Sequence, residues 1–241
     1  ALFCSIEYAR SGMRMTRRAA EPSPLLRRRS LSTRTEAIEM NLSDLHRAAR
    51  AAEGSINDAY LAGLCGALRL YHAELGVPVN ALPMAVPVNL RAEADPAGGN
   101  RFAGVNLAAP VGVADPLARI HKIRKQMISR REEAAIDLIG AVAPVLSLLP
   151  DAVLEAVSGS VIASDVQASN VPIYPGDTYI AGAKVLRQYG IGPLPGVAMM
   201  VVLVSRGGYA TITSRYDRAA IAHPDLWAHC LRQGIDEVLA L

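Results

Sequence analysis

Two short polar segments hold the side chains best suited to bind and orient a small ligand. Asn57 and Asp58 follow Ser55 in the predicted first turn of a helix, where backbone N–H groups lack partners and the helix dipole is positive. Further along, a Ser-Asn-x-Pro turn at a predicted strand end offers a hydroxyl, an amide and a rigid backbone. Its residues are Ser169, Asn170, Val171 and Pro172. Both segments therefore offer hydrogen bonds to a ligand.

Each segment also has an ordinary structural explanation. Ser55 and Asp58 form an S-x-x-D variant of the capping box, which accounts for Asp58 and leaves Asn57 unexplained. A Ser-Asn-x-Pro turn can simply end a strand, with Asn170 satisfying its own backbone. We therefore favour the capping role for Asp58, leave Asn57 open between a binding and a surface role, and keep both interpretations of residues 169–172.

Histidine and cysteine spacing gives no sign of a metal site or a disulfide framework. The five histidines form no HxxxH or HExxH pair, so we expect no metal. Cys4, Cys65 and Cys230 are odd in number and lack CxxC spacing, which fits a reducing cytoplasm. We expect a cytoplasmic protein.

The composition is that of a folded α/β protein with an uneven distribution of charge. Apolar residues make up 51% of the 241 residues and aromatic ones only 5%, which excludes a disordered chain and a stacking platform for nucleic-acid bases. Residues 1–34 hold eight arginines against two glutamates, a net +6 in a chain of net charge +3. This arm is either a solvated linker or a contact with anionic lipid head groups.

No membrane-spanning helix or signal peptide is predicted. The longest apolar run, residues 138–149, has 12 residues, whereas a spanning helix needs about 20. This run predicts a core or interfacial helix. Because the first residues lack a signal-peptide pattern and read like the middle of a protein, we expect the chain to begin inside a longer one.

Hydrophobic periodicity and capping residues predict a two-layer α/β sandwich on a mixed sheet. The run at 197–204 is apolar on both faces, which indicates a central strand covered on both sides. Strands are predicted at 35–42, 83–90, 102–110, 161–168, 178–189, 197–205 and 209–216. Helices are predicted from a Ser43 cap to 53, from a Ser55 cap to about 75, at 116–131 after an Asp115 cap, between about 132 and 151, and at 224–239.

An ordered set of eight segments resembles the wax ester synthase/diacylglycerol acyltransferase (WS/DGAT) family. The set covers about residues 23–241 and corresponds to the C-terminal domain of that family. The segments are SPLLRRRSLS (23–32), GSINDAYLAGL (54–64), PVNLRAEADPAGGN (87–100), DPLARI (115–120), SNVP (169–172), YIAGAKV (179–185), YGIGPL (189–194) and PDLW (224–227).

The resemblance implies a chloramphenicol-acetyltransferase-like lobe, here residues 35–241, behind an Arg-rich arm, residues 1–34. In the family two such lobes enclose a tunnel, and the general base is a histidine of an HHxxxDG motif in the N-terminal lobe. These 241 residues contain no HHxxxDG and no adjacent histidines. The resemblance therefore implies that this chain holds no catalytic residue and is inactive alone.

The resemblance also assigns roles to the two polar segments. The family's ND motif corresponds to Asn57 and Asp58, with Asn57 donating a hydrogen bond near the reacting centre. The family's SNVPGP loop corresponds to residues 169–172, at the tunnel mouth near the CoA arm or thioester. The sequence then departs from the family, because 173–176 read IYPG where Gly-Pro is expected. Arg91, Asn100 and Arg101 are weaker additions to the same mouth, each explained as well by solvent exposure.

The expected activity is that of an acyl-CoA-dependent O-acyltransferase half making triacylglycerol or wax esters. Its expected partners are the N-terminal lobe, acyl-CoA, and an alcohol or diacylglycerol, with acyl-CoA as substrate and no bound cofactor. Peripheral contact with the membrane or with lipid droplets is a further expectation. The alternative is a non-catalytic lipid-surface or protein-interaction module that uses the arm and the 138–149 run.

Overall fold

The fold follows from a computed structural model, which describes residues 11, 18–89, 102–133, 164–173 and 176–241. The apolar run 138–149, Arg91, Asn100 and Arg101 lie outside these residues. The elements are β1 (Thr33–Asn41), α1 (Leu42–Ala51), α2 (Ile56–Glu74), β2 (Leu82–Asn89), β3 (Phe102–Ala109), α3 (Pro116–Arg131), β4 (Val166–Pro172), β5 (Tyr179–Ile180), β6 (Ala183–Lys184), β7 (Met199–Arg206), β8 (Tyr209–Asp217) and α4 (Pro224–Leu239).

Six of the described strands form one mixed sheet in the order β1-β8-β7-β4-β2-β3. The neighbours of β4 on both sides, β7 and β2, run parallel to it, and the outer pairs are antiparallel. β5 and β6 form a separate two-stranded hairpin. Contacts among the four helices, together with the core residues that the strands share with them, build the second layer. The predicted two-layer sandwich on a mixed sheet is confirmed.

The prediction of a central strand at 197–204 is confirmed by β7, which lies between β8 and β4 and is buried on both faces. Its alternate residues belong to two separate apolar clusters, as expected for a strand whose side chains point to opposite faces. Those on the face that packs against the helices, here called the helix face, are Met199, Val201 and Leu203. Those on the opposite face, here called the far face, are Met200, Val202 and Val204.

Small residues let the helices approach closely. Gly234 of α4 lies so near α2 that a Cβ there would stand 2.7 Å from Gly63 O. Gly66 leaves space for the fully buried guanidinium of Arg119, which forms a 2.6 Å ion pair with Glu237. Glu237 also pairs with Arg69 at 2.7 Å, so one carboxylate neutralises two arginines between three helices.

Three predicted elements differ from the structure. α1 begins at Leu42 with Asn41 as its N-cap, and no side chain caps it, so the Ser43 cap was wrong. The strand expected at 161–168 is β4, which lies five residues further along. The single strand expected at 178–189 is the short β5–β6 hairpin followed by an extended segment.

That extended segment, residues 185–196, crosses the far face over β7 and β8 and is here called the far-face segment. A Cβ on Gly190 would stand 2.6 Å from Val202, so glycine permits the close crossing. Hydroxyl groups of β8 bind its carbonyl groups, with Thr211 donating to Gln188 O at 2.6 Å and Thr213 donating to Gly190 O. Side-chain hydrogen bonds therefore replace the strand ladder that the sequence predicted.

The described part of the N-terminal arm packs onto the body. Ser23 and Leu26 are fully buried, and the Ser23 N–H donates to the Asp165 carboxylate at 2.6 Å. Ser30 is tied to Asp217 by two hydrogen bonds. The division at residue 34 stays a prediction, while Leu25 and Leu26 of the arm pack in the core of the body. Within the described ranges, no helix is long and apolar enough to cross a membrane.

Candidate functional site

The first turn of α2 has the predicted capping box. The Ser55 hydroxyl accepts the Asp58 N–H at 3.2 Å, and Asp58 Oδ2 accepts the Ser55 N–H at 2.9 Å and the Ser55 hydroxyl at 2.7 Å. The Asp58 side chain therefore fixes the start of the helix, and the neighbouring Asn57 takes no part in the cap.

α2 runs antiparallel to β4 and β7, and this direction brings the two polar segments to the same end of the sheet. Near the end of α2, His72 accepts the Ser23 hydroxyl at 2.7 Å, and Ser23 in turn binds Asp165 just before β4. Nearer its start, the Tyr60 hydroxyl donates to Val201 O at 3.0 Å, level with Ala168 in β4. The start of α2 therefore lies towards the carboxyl end of β4.

Residues 169–172 are the last four residues of β4, paired with β7 as far as Ser205, rather than a turn. The turn prediction was wrong because the parallel ladder continues to Pro172, where proline ends it at no cost to an interior hydrogen bond. Asn170 is in register with Leu203 on the helix face, so its side chain lies on the side of α2. Ser169 and Val171 are in register with Val202 and Val204 on the far face.

A cavity of about 170 Å³ lies between the start of α2 and the second half of α3. Asn57 contributes to its wall together with four residues of α3 that sequence reasoning missed: Arg124, Met127, Ile128 and Arg131. Their spacing of three and four residues places them on one face of the helix, which is the signal that could have found them. The described pockets include none that is lined by both Asn57 and residues 169–172.

The two amides are the polar groups with unused hydrogen-bonding capacity at this end of the sheet. Asn57 and Asn170 are half-buried, and neither side chain makes a hydrogen bond in the part of the chain that the structure describes. Each amide can donate two hydrogen bonds and accept others. The alternative in which Asn170 satisfies its own backbone does not describe this geometry, so both amides are available to a bound molecule.

Positive charge stands beside Asn57. Arg124 and Arg131 are exposed, and neither forms an ion pair within the described ranges. The helix dipole of α2 adds positive potential at the same place. The cavity therefore favours an anionic group.

A serine–histidine pair elsewhere in the fold has a structural role. Ser23 and His72 are both fully buried, His72 Nδ1 is held by Leu68 O at 2.7 Å, and burial lowers the pKa of His72. Burial also raises the pKa of the Cys65 thiol to about 12, so it stays protonated. Neither group is placed to attack a substrate. Among the described residues, no cluster of His, Cys, Asp or Glu could hold a metal ion.

Comparison with known proteins decides the family. The model of the WS/DGAT C-terminal domain matches residues 98–238. The chain belongs to this family. A Mycobacterium tuberculosis H37Rv protein, provisionally named a diacylglycerol O-acyltransferase, is 73% identical to the WS/DGAT chain over 234 residues. These make up 97% of the chain and 48% of that relative. A second protein of the same strain, with the same provisional name, is 32% identical over 162 residues, which are 64% of the chain and 36% of that relative.

The WS/DGAT chain thus spans about half the length of the relative that is 73% identical to it. Solved structures agree on the fold. The wax ester synthase/diacylglycerol acyltransferase of Marinobacter aquaeolei VT8 is 20% identical, with a TM-score of 0.67, over 98% of this chain and 56% of the other. The starter condensation domain of rhizomide synthetase is 14% identical, with a TM-score of 0.61, over 100% of this chain and 52% of the other. These matches confirm the predicted fold class.

Proposed function

We propose that this chain is the C-terminal half of an acyl-CoA-dependent O-acyltransferase that makes triacylglycerol or wax esters. Family membership and the names of the relatives support this assignment, and the single observation that carries the site is the pair of unengaged amides, Asn57 and Asn170, at one end and on one face of the sheet. Since this chain has no HHxxxDG, the general base that activates the acceptor hydroxyl belongs to the other half.

In this proposal the amides position the acyl thioester and the acceptor. Asn57 donates a hydrogen bond towards the reacting centre, and Asn170 contacts the acyl-CoA arm from the end of β4. Asp58 contributes indirectly, because its capping box fixes the turn that carries Asn57. Ser169 and Val171 lie on the far face, which supports contacts with the other half for them rather than with the same ligand atoms.

Arg124 and Arg131 suit the phosphate groups of CoA. Guanidinium groups bind phosphate through pairs of hydrogen bonds, and these two have no carboxylate partner among the described residues. They add two residues to the binding set that the sequence predicted. Acyl-CoA is a substrate in this scheme, and no bound cofactor is required because the thioester is already activated.

The other half of the protein covers the far face. Six apolar residues there and on the adjoining hairpin are between 42% and 70% exposed, which is unusual for side chains of this kind in a monomer. They are Val171, Tyr179, Ile180, Leu186, Tyr189 and Ile191. Because the relative at 73% identity is about twice as long as this chain, its remaining length supplies the simplest cover.

The proposed compartment is the cytoplasm, with peripheral contact with lipid. Cys65 and Cys230 are unpaired and buried, as thiols are in a reducing environment. The lipid substrates of the proposed reaction require access to a membrane or droplet surface.

The test is ester formation by the full-length protein with Asn57→Ala. We expect turnover to fall about tenfold or more, since one lost hydrogen bond in the transition state of about 1.4 kcal/mol gives that factor. Urea unfolding should be unchanged, because Asn57 makes no hydrogen bond in the described chain. Normal turnover by a folded Asn57→Ala protein would contradict the assignment.

A further inference from the structure

A second polar cavity, of about 390 Å³, lies at the end of the sheet opposite to residues 169–172. It stands where the parallel strands β4 and β7 begin, because its wall includes Asp165, just before β4, and Gly196, shortly before β7. Three arginines of the arm, Arg18, Arg27 and Arg29, also line it, together with Glu21, Pro22 and Ser164. We call this cavity the arginine pocket.

The wall of the arginine pocket is built into the fold. Leu26 is fully buried just before Arg27, and Ser30, just after Arg29, is tied to Asp217 by two hydrogen bonds, so the segment that carries Arg27 and Arg29 is anchored on both sides. Arg29 itself donates to Gly196 O at 3.3 Å and to the carbonyl of Leu26. These contacts hold arginines of the arm at fixed positions beside β4 and β7.

The three arginines lie near the Asp165 carboxylate but form no direct ion pair within the described ranges. None of Arg18, Arg27 and Arg29 forms an ion pair with a carboxylate among the described residues. Glu21 lines the same cavity without pairing with them, and the Asp165 carboxylate is almost fully buried and already accepts the Ser23 N–H. Burial raises the pKa of Asp165, while the Ser23 N–H and the three arginines act in the opposite direction. Three arginines therefore line one cavity without an ion pair among the described residues, and a bound anion would stabilise their charges.

We propose that the arginine pocket binds a phosphate group. Guanidinium groups bind phosphate oxygens through pairs of hydrogen bonds, and a phosphate has enough oxygens to bind more than one of them. The volume of about 390 Å³ is large enough for a phosphate with a small polar group attached, and the charged wall disfavours an acyl chain. The site does not depend on the proposed acyltransferase activity.

Two sources could supply this phosphate, a phospholipid head group or a free phosphate. Leu31 favours the phospholipid head group, because it is fully exposed and lies two residues after Arg29. An exposed leucine beside arginines is suited to the boundary between head groups and acyl chains. Leu31→Ser should therefore weaken binding of vesicles and leave binding of a soluble phosphate unchanged.

The test measures how tightly the full-length protein binds two probes. Calorimetric titration measures binding of inorganic phosphate, and co-sedimentation measures binding of vesicles of phosphatidylcholine with or without phosphatidylglycerol. The variants are Arg18→Gln and Arg27→Gln, neither of which removes a hydrogen bond within the described chain. Arg232→Gln is the control for net charge, since it neutralises an exposed arginine on α4 whose guanidinium donates to Glu39 O at 3.2 Å, away from the arginine pocket. We expect each pocket variant to weaken binding about tenfold and the control to bind like wild type.

The binding results distinguish the two sources of phosphate or overturn the proposal. Pocket-dependent binding of inorganic phosphate supports a site for free phosphate, and pocket-dependent binding of phosphatidylglycerol vesicles that Leu31→Ser reduces supports a head-group site. Equal losses in the pocket variants and in Arg232→Gln would reduce the effect to net charge and overturn the proposal. The same conclusion holds if neither probe binds wild type, with thermal unfolding showing that all proteins are folded.

Discussion

At the scale of single residues, the side of the sheet on which a polar group lies decides its proposed task. Asn170 points to the helix face and Ser169 to the far face, although they are adjacent in the same motif. Strand geometry alone thus divides the SNVP segment into two pairs with different surroundings.

This division predicts different effects for neighbouring substitutions in the full-length protein. Asn170→Ala should raise the KM for acyl-CoA about tenfold, because it removes an unengaged amide on the helix face. Ser169→Ala is the matched control and should change the KM little. Steady-state kinetics with acyl-CoA varied measure both, and equal effects of the two substitutions would contradict the face assignment.

His72 predicts a dependence of stability on pH. Burial lowers the pKa of His72 in the folded chain, whereas the unfolded chain takes up this proton near pH 6.5. The unfolded state therefore binds more protons below about pH 6.5, and stability is lost as pH falls from there to the folded pKa. The loss is at most about 1.4 kcal/mol per pH unit for one group.

Urea unfolding of wild type and His72→Gln at pH 7.5 and 5.5 measures this contribution. The difference in free energy of unfolding between the two pH values should be smaller in the variant, whatever its absolute stability. The Ser23 hydroxyl, Leu68 O and the nearby Asp165 carboxylate surround His72 and remain in both proteins. An unchanged pH difference would show that His72 titrates alike in both states.

At the scale of elements, the contact between α2 and α4 depends on glycine. A Cβ at Gly234 would stand 2.7 Å from Ala67 Cα and from Gly63 O, and backbone atoms cannot yield as side chains do. The same two helices carry the ion pair between Arg69 and Glu237, and Glu237 also pairs with the buried Arg119 of α3, so their spacing also fixes a buried charge.

Gly234→Ala should therefore destabilise the fold by about 2 kcal/mol or more, since overpacking costs about 1–3 kcal/mol and here the obstacle is backbone. Gly104→Ala in β3 is the control, because a Cβ there meets no atom within 4 Å. Denaturant midpoints of the two variants measure the effect. Equal midpoints would mean that α4 can move away from α2 at little cost.

At the scale of the whole molecule, the described residues cover the helix face of the sheet and only part of its far face. The helices cover one face of the sheet, while the far-face segment covers β7 and β8 and leaves Tyr189 and Ile191 directed outwards. This asymmetry is what a lobe of a larger protein needs, and it agrees with a chain that spans 48% of its relative.

The 241-residue chain alone should therefore form no ester and should bind a hydrophobic dye, whereas co-expression with the preceding half should restore activity and suppress dye binding. Ile180→Ser combined with Ile191→Ser should lower dye binding by the isolated chain. The same double substitution should reduce the amount of the preceding half that co-purifies with this chain. Ester formation by the isolated chain, free of contaminating enzyme, would contradict the proposed division of labour. If the double substitution leaves the amount of co-purified halves unchanged, the two halves make contact at a surface other than the far face.

The sequence by itself determined the local features. The Ser55–Asp58 capping box, the Asp115 cap and the doubly apolar run of β7 depend on neighbouring residues and on side-chain periodicity, and each is present in the structure. The ordered motifs likewise identified the family.

Only the tertiary structure decided which of these features meet. The direction of α2 against β4 brings Asn57 and Asn170 to one end of the sheet, and α3 adds Arg124 and Arg131 from a distant part of the sequence. The far-face segment was predicted as a strand because its partners, the hydroxyl groups of Thr211 and Thr213, lie more than twenty residues away. Secondary-structure propensity depends on residues that are close in the sequence. Strand register and helix direction, in contrast, depend on how all elements bury one shared core.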